Sequence, residues 1–254
     1  RNFLHFPPEL SLITSLDYDH PDSYPTRDSY RQAFTAFIEQ SDRTLMWHKD
    51  YHELGEPHIS TDLTVFDENL SLDHLHLPGL HLRQNAFLAE RALGELFEQV
   101  TYHDLITAIN SFPGTDRRME KLADNLYTDY GHHPSEIAAT LQAAHELSDY
   151  VVLVYQPHQN IRQHEVKADY TDEVFANANA VYWLPTYLTR ANPHLTTLSP
   201  EQLSAHITDR SKLHIAQLDD ELWAEIELHR ESGHLVLCMG AGTIDEWLRT
   251  RLTE

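Results

Sequence analysis

The sequence predicts an α/β protein whose second half is a parallel sheet with helices on both faces. Residues 150–155 and 180–184 are near-continuous apolar runs, the pattern of strands buried on both sides rather than one. From residue 126 onward, strand-like and helix-like stretches alternate to the end of the chain. That order builds parallel sheets through helical crossovers. The length, 254 residues, allows one large or two modest hydrophobic cores.

Residues 10–16 read as a buried strand bounded by Pro8 and by the polar run from Asp17. Tyr30, Ala33, Phe34, Phe37 and Ile38 follow the i, i+3, i+4, i+7, i+8 spacing of an amphipathic helix. A short strand follows at 44–48, and the alternation over 59–66 suggests an antiparallel or edge strand. Pro78-Gly79 breaks the chain before helices over 83–99 and 102–110. Pro113-Gly114 then marks the expected domain boundary, dividing residues 1–113 from 114–254. Past it come a strand at 126–130 and a helix that opens on Pro134, where a missing N–H costs nothing. That helix buries Ile137, Leu141 and Ala144. After the two apolar strands, 221–230 reads as helix and 234–239 as strand, and Ile244, Trp247, Leu248 and Leu252 mark a last helix. The chain enters its first strand within a few residues of Arg1, so a fragment of a longer protein is expected.

Eighteen Lys and Arg against 40 Asp and Glu give a formal net charge of −22, which argues against a broad nucleic-acid face. An anionic ligand would have to meet locally concentrated cations. Cys238 is the single cysteine, so neither an internal disulfide nor a thiolate zinc site is expected. No apolar run approaches the roughly 18 residues of a spanning helix. His48, His52, His58, His74 and His76 read as scattered, solvated histidines, and a His-rich metalloprotein is the alternative.

Four constellations carry chemistry. Asp17-Tyr18-Asp19-His20-Pro21-Asp22 follows a strand, and its carboxylates and imidazole either hold a hard cation beside a phosphate or form an acidic turn. Arg117-Arg118 offers paired guanidiniums for a phosphate or carboxylate, unless both are ordinary surface arginines. Asp129-Tyr130-Gly131-His132-His133-Pro134-Ser135-Glu136 runs from a strand end into a helix, whose first N–H groups and dipole favour an anion. His158 and Arg162 stand four apart after the next strand and would share a face if helical. Tyr130, His132, His158 and Arg162 are therefore expected to line one anion pocket, with separate capping and surface roles as the other reading. Gly240-Ala241-Gly242 is half a dinucleotide fingerprint, but Asp245 occupies the third glycine position, so a tight strand-to-helix turn is sufficient. No Gly-x-x-x-x-Gly-Lys-Ser/Thr loop and no Gly-x-Ser-x-Gly elbow is present.

The block from Asp129 to Ile137, with Ala138-Ala139-Thr140-Leu141 after it, resembles the C-terminal domain of the Mur ligase family. Gln156-Pro157-His158 and Met239-Gly240-Ala241-Gly242-Thr243-Ile244 match further stations in order. Upstream, Leu12-Ile13-Thr14-Ser15, Asp19-His20-Pro21-Asp22, Pro78-Gly79-Leu80-His81 with Asn85-Ala86, and Phe112-Pro113-Gly114-Thr115 resemble the central domain and its hinge. The resemblance implies a Rossmann-like C-terminal ligase domain at 114–254, preceded by part of the central ATP-binding α/β domain. It is similar to the cytoplasmic branch that joins L-alanine to UDP-N-acetylmuramate, using ATP and Mg2+ and passing through an acyl phosphate. A recycling ligase that attaches a tripeptide, or a binding module without catalysis, are alternatives. By resemblance His20 is a Mg2+ ligand, Asn85 contacts adenine, and Arg118 and Asp129 bind the nucleotide, with Asp129 on the ribose. Tyr130, His132, His158 and Arg162 fall on the amino-acid and acyl-phosphate side. Leu82, Thr128 and Gln159 stand where the family usually has Asn, Asp and Arg. The missing phosphate loop implies that these residues alone do not catalyse ligation.

Overall fold

The structure, a computed structural model, describes residues 2–18, 23–189 and 191–253. It divides into two compact units, Arg1–Leu77 with His81–Phe112 and Pro78–Leu80 with Pro113–Glu254.

The first unit is built on three parallel strands, β1 (Leu10–Ile13), β2 (Arg43–Trp47) and β3 (Asp62–Phe66), in that spatial order. Helix α1 (Arg27–Glu39) links β1 to β2 and starts from Thr26, whose hydroxyl accepts from Ser29 N while Ser29 Oγ accepts from Thr26 N. That reciprocal cap satisfies two otherwise orphaned donors. The short α2 (His48–Glu53) follows β2, and α3 (Leu80–Leu96) and α4 (Tyr102–Asn110) follow β3. The period of two along β2 sorts the core into two faces. Leu45 and Trp47 pack with Leu75, Phe87 and Leu88. Met46 points the other way, onto Ile13, Ile38 and Leu54. Strand β3 is an edge, as its alternation suggested, but it pairs parallel to β2. Helix α3 begins three residues earlier than periodicity placed it, directly after Gly79 at φ 88°.

The second unit contains β4 (Glu120–Ala123), β5 (Leu126–Asp129), α5 (Pro134–Leu147), β6 (Val151–Tyr155), α6 (Asn160–Val166) and β7 (Ala180–Trp183). These are followed by α7 (Pro200–Leu203), β8 (Leu213–Ile215), α8 (Asp220–Glu231), β9 (Leu235–Met239) and α9 (Ile244–Arg251). The six strands lie in the order β4-β5-β9-β6-β7-β8, all parallel except β4, which forms a hairpin with β5. Both faces are covered. Leu153, Tyr155, Trp183, Leu237 and Met239 meet Ile137, Leu141 and Ala144 of α5. Val152, Val154, Val236 and Cys238 meet Leu222 and Ile226 of α8 and Ile244 and Leu248 of α9. Cys238 is fully buried, and burial pushes its thiol well above the usual range, so it is a core residue and not a nucleophile.

One histidine pair is expected to make this unit's stability depend on pH. His229 Nδ1 on α8 lies 3.0 Å from His234 Nδ1, just ahead of β9. His229 Nε2 lies 3.1 Å from the Tyr182 hydroxyl, which donates to Glu225 Oε2 at 3.1 Å. Tyr150 stacks on His234, and His214 stacks on Tyr182. Burial, then the neighbouring His234, lower the pKa of His229, with Glu225 opposing. A histidine with a lowered folded pKa stabilises the fold above its unfolded value, near 6.5, and loses that contribution as pH falls through the folded value. The stability advantage of the natural chain over His229→Gln, read from urea midpoints, is therefore expected to shrink between about pH 7.5 and about pH 5. An unchanged advantage would refute it.

Candidate functional site

Strands β5, β9 and β6 are neighbours, and their last residues are in register: Asp129 pairs with Met239, and Met239 with Tyr155. Three loops, 130–133, 240–243 and 156–159, therefore leave the carboxyl edge of the sheet side by side, where open α/β sheets bind ligands.

Asp129 fixes the first loop. Its Oδ1 accepts from Gly131 N at 2.7 Å and its Oδ2 from Met119 N at 2.9 Å. Burial raises its pKa, and the two amides and Arg118 oppose that rise. With 3% of the residue exposed, both oxygens serve the backbone and hold the turn that presents Tyr130. The next residues close on themselves. Glu136 Oε2 accepts from His132 N at 2.9 Å and His133 N at 3.0 Å, and His133, the N-cap of α5, turns its Nδ1 to Ser135. Burial alone would raise the pKa of Glu136; the His132 amide and the His132 ring lead the effects that bring it below the ordinary value. Glu136 thus takes up the two N–H groups that lead into α5, those of His132 and His133.

Side chains of these loops converge. Tyr130 stands edge-on to His132 with centroids 5.8 Å apart, and His132 stands edge-on to His158 at 5.6 Å. His132 Nδ1 lies 3.2 Å from the Tyr130 carbonyl, the geometry of an Nδ1–H donor. The Tyr155 hydroxyl, fully buried beneath, donates to the His132 carbonyl at 3.0 Å and meets the Tyr170 hydroxyl at 2.8 Å. Burial, then His132 and Arg162, push the pKa of His158 down to about 4. Its imidazole is therefore neutral near neutral pH. Arg162 is thus an electrostatic neighbour of His158, but not on a shared helical face. Helix α6 starts at Asn160, Gln159 is its N-cap at φ 59°, and His158 precedes it.

Arg117 and Arg118 bring two more cations. Arg117 lies over the Tyr130 ring at 4.6 Å and Arg118 at 5.8 Å. Arg117 Nη2 donates to the Gly240 carbonyl at 2.8 Å, tying the first loop to the glycine turn, while Arg118 is 3.6 Å from Glu136. Both guanidiniums also face carboxylates, Arg117 with Asp245 at 3.7 Å and Arg118 with Glu136.

Sequence reasoning placed Tyr130, His132, His158 and Arg162 together, and the structure does so. It passed over Tyr187. Tyr187 stacks on His158 with planes 13° apart; the available signal was its place just past a buried strand. Asn85 is exposed on α3 in the first unit, with Leu82 half-buried nearby in sequence. Thr128 is fully buried and meets Asp245 Oδ1 at 3.0 Å. His20 lies outside the described residues. Among the described residues, no group of three His, Cys, Asp or Glu side chains is placed to hold a metal ion. No described helix is long and apolar enough to cross a membrane.

Residues 117–242 match the family model "Mur ligase, glutamate ligase domain". A UDP-N-acetylmuramate–L-alanine ligase of a Nocardioides species is 31% identical over 265 residues, covering 95% of this chain and 57% of the relative. A crystal structure of UDP-N-acetylmuramate–alanine ligase from Thermotoga maritima superposes with a TM-score of 0.67 at 19% identity, covering 98% of this chain and 60% of that one. The folylpolyglutamate synthase of Mycobacterium tuberculosis complexed with ADP gives a TM-score of 0.60 at 14% identity, covering 97% and 63%. The chain spans about three fifths of the length of the curated relatives it matches.

Proposed function

The chain belongs to the Mur ligase family, and we propose that it carries the amino-acid side of an ATP-dependent ligase of the cytoplasm. That enzyme joins L-alanine to the lactyl carboxylate of UDP-N-acetylmuramate through an acyl phosphate, in peptidoglycan precursor synthesis. Residues 1–113 would be part of the central ATP-binding domain, and residues 114–254 the Rossmann-like last domain.

The observation that carries this reading is the convergence of Tyr130, His132 and the half-buried His158 at the carboxyl edge of the sheet, with Arg162 acting on His158. An amine attacks only with its lone pair free. An uncharged imidazole accepts an N–H from that amine without repelling it, and its weak basicity suits holding the amine more than storing its proton. Arg162 pairs with the amino-acid carboxylate, and His132 and Tyr130 line the acyl-phosphate side. Arg117 and Arg118 against Tyr130 form a cationic, aromatic edge that fits the phosphates and base of a nucleotide. Arg118 and Asp129 of the second unit are proposed for the nucleotide, whose chemistry when bound is activation of the carboxylate; Asn85, on the first unit, is proposed separately as an adenine contact. Asp129 must then act from a position in which its oxygens already serve Met119 and Gly131. Mg2+ is proposed on His20; the described residues offer no further ligand set, so no step is derived through it.

Residues 1–254 contain no Gly-x-x-x-x-Gly-Lys-Ser/Thr loop, and phosphate release from ATP, UDP-N-acetylmuramate and L-alanine by this chain alone is expected to be absent. The amino-acid site is tested without turnover. UDP-N-acetylmuramoyl-L-alanine should shift the NMR signals of the His132 and His158 imidazoles and leave His103 and His145 unmoved. No response at either imidazole would overturn the assignment. A response only to the tripeptide-bearing product would replace alanine ligation with the recycling reaction.

A further inference from the structure

Among the described residues His158 Nδ1 is buried with no hydrogen-bond partner to fix the ring. Its orientation therefore depends on the rings that pack against it. One is His132, edge-on. The other is Tyr187, nearly parallel to it with centroids 5.9 Å apart. Tyr187 follows β7, and its backbone is laced to the His158 loop. Tyr187 N donates to the Pro157 carbonyl at 2.8 Å, and the Tyr187 carbonyl accepts from Gln159 N at 2.9 Å. This bridge continues the β6–β7 pairing past both strand ends.

The 240–243 loop packs against Tyr187. A Cβ on Gly242 would lie 2.6 Å from Tyr187 Cβ and 2.8 Å from Tyr187 Cγ, and would also strike Gln156 Oε1. The Gln156 carboxamide is committed, accepting from Ile244 N at 3.1 Å and donating to Thr243 Oγ1 at 3.3 Å. Unlike Gly240, Gly242 is not in the left-handed region. Its lack of a side chain provides room, not an unusual backbone.

We propose that Tyr187 is a positioning residue for His158 and that Gly242 is the residue that lets it sit there. The second glycine of Gly240-Ala241-Gly242 thereby serves ring packing at the edge of the amino-acid site and not a dinucleotide. The consequence for catalysis rests on the ligase reading above, whereas the packing itself does not.

The two are separated by experiment. In the 254-residue chain, the His158 imidazole is followed by NMR through an acid titration in the natural sequence, Tyr187→Leu, Tyr187→Phe and Gly242→Ala. Burial is the first cause of the low His158 value, so loss of the flanking ring should raise it by about one unit or more toward the ordinary value near 6.5. Tyr187→Leu and Gly242→Ala are expected to show that rise, and Tyr187→Phe, which keeps the ring, is expected to leave the titration in place. An unmoved His158 titration in both Tyr187→Leu and Gly242→Ala overturns the inference, as does a Tyr187→Phe variant that behaves like the leucine one. In an active ligase containing this chain, Tyr187→Leu should raise KM for L-alanine more than it lowers kcat. A moved titration with unchanged alanine kinetics would uphold the packing role and remove His158 from the amino-acid site.

Discussion

Gly240→Ala is expected to destabilise the second unit by about 3 kcal/mol, since left-handed strain and overpacking each cost roughly 1–3 kcal/mol. Gly240 sits at φ 154°, which only glycine adopts readily. A Cβ there would also lie 2.6 Å from the Gln156 backbone carbonyl. A backbone atom at the end of a central strand cannot swing aside as a side chain can. The shift would pass to Gly240 N, which donates to the Asp129 carbonyl at 3.0 Å, and to the Gly240 carbonyl, which Arg117 grips. Gly131→Ala provides the control. Its Cβ would meet the end of the Met239 side chain, together with Asp129 Oδ1 at 2.9 Å, and the flexible thioether can move. It is expected to cost distinctly less. Urea unfolding of the two variants measures the difference. Equal midpoints would show that the 240–243 turn is more pliant than its geometry implies.

What was legible in the sequence follows from what local pattern encodes. The runs at 150–155 and 180–184 named buried parallel strands because only a strand covered on both faces dispenses with alternation. Pro134 located the start of α5 to the residue. His132 and His158 could be brought together in advance because strand ends in such a sheet converge, whatever lies between them in the chain. Strands β4 and β8, of four and three residues, were not legible. Both are too short for a periodic pattern to show, and each pairs along a neighbouring strand's edge. The hairpin turn into β5 did leave a trace in Asp124-Asn125, with Asn125 at φ 57°. The capping by Glu136 is visible in the sequence as a helix signal three residues after His133. Tyr187 meets His158 only through the β6–β7 register, which no local periodicity carries.

Arg162→Ala is expected to lower kcat/KM for L-alanine by about one to two decades while leaving KM for ATP close to its starting value. A charge-assisted hydrogen bond to a carboxylate in a partly dry site contributes roughly 1.5–3 kcal/mol, and each 1.36 kcal/mol is tenfold in rate. Arg162 is the cation here that acts on His158 and on the buried Tyr155 and Tyr170, so its removal acts on this side of the site. Arg117 and Arg118 sit against Tyr130 instead and should dominate the response to nucleotide. On the proposed reading, Gln159, where the family resemblance implies Arg, leaves the amino-acid side one guanidinium short and concentrates the load on Arg162. Gln159→Arg keeps a non-glycine residue at φ 59°, so it adds charge without relieving or adding backbone strain. It should lower KM for L-alanine in the natural background and recover part of the loss in Arg162→Ala. Steady-state kinetics in an active ligase containing this chain, with L-alanine varied at saturating ATP, measure both effects. If Arg162→Ala spares the alanine dependence and weakens ATP instead, the α6 cation belongs to the nucleotide, and the division of the site between His158 and Tyr130 must be reversed.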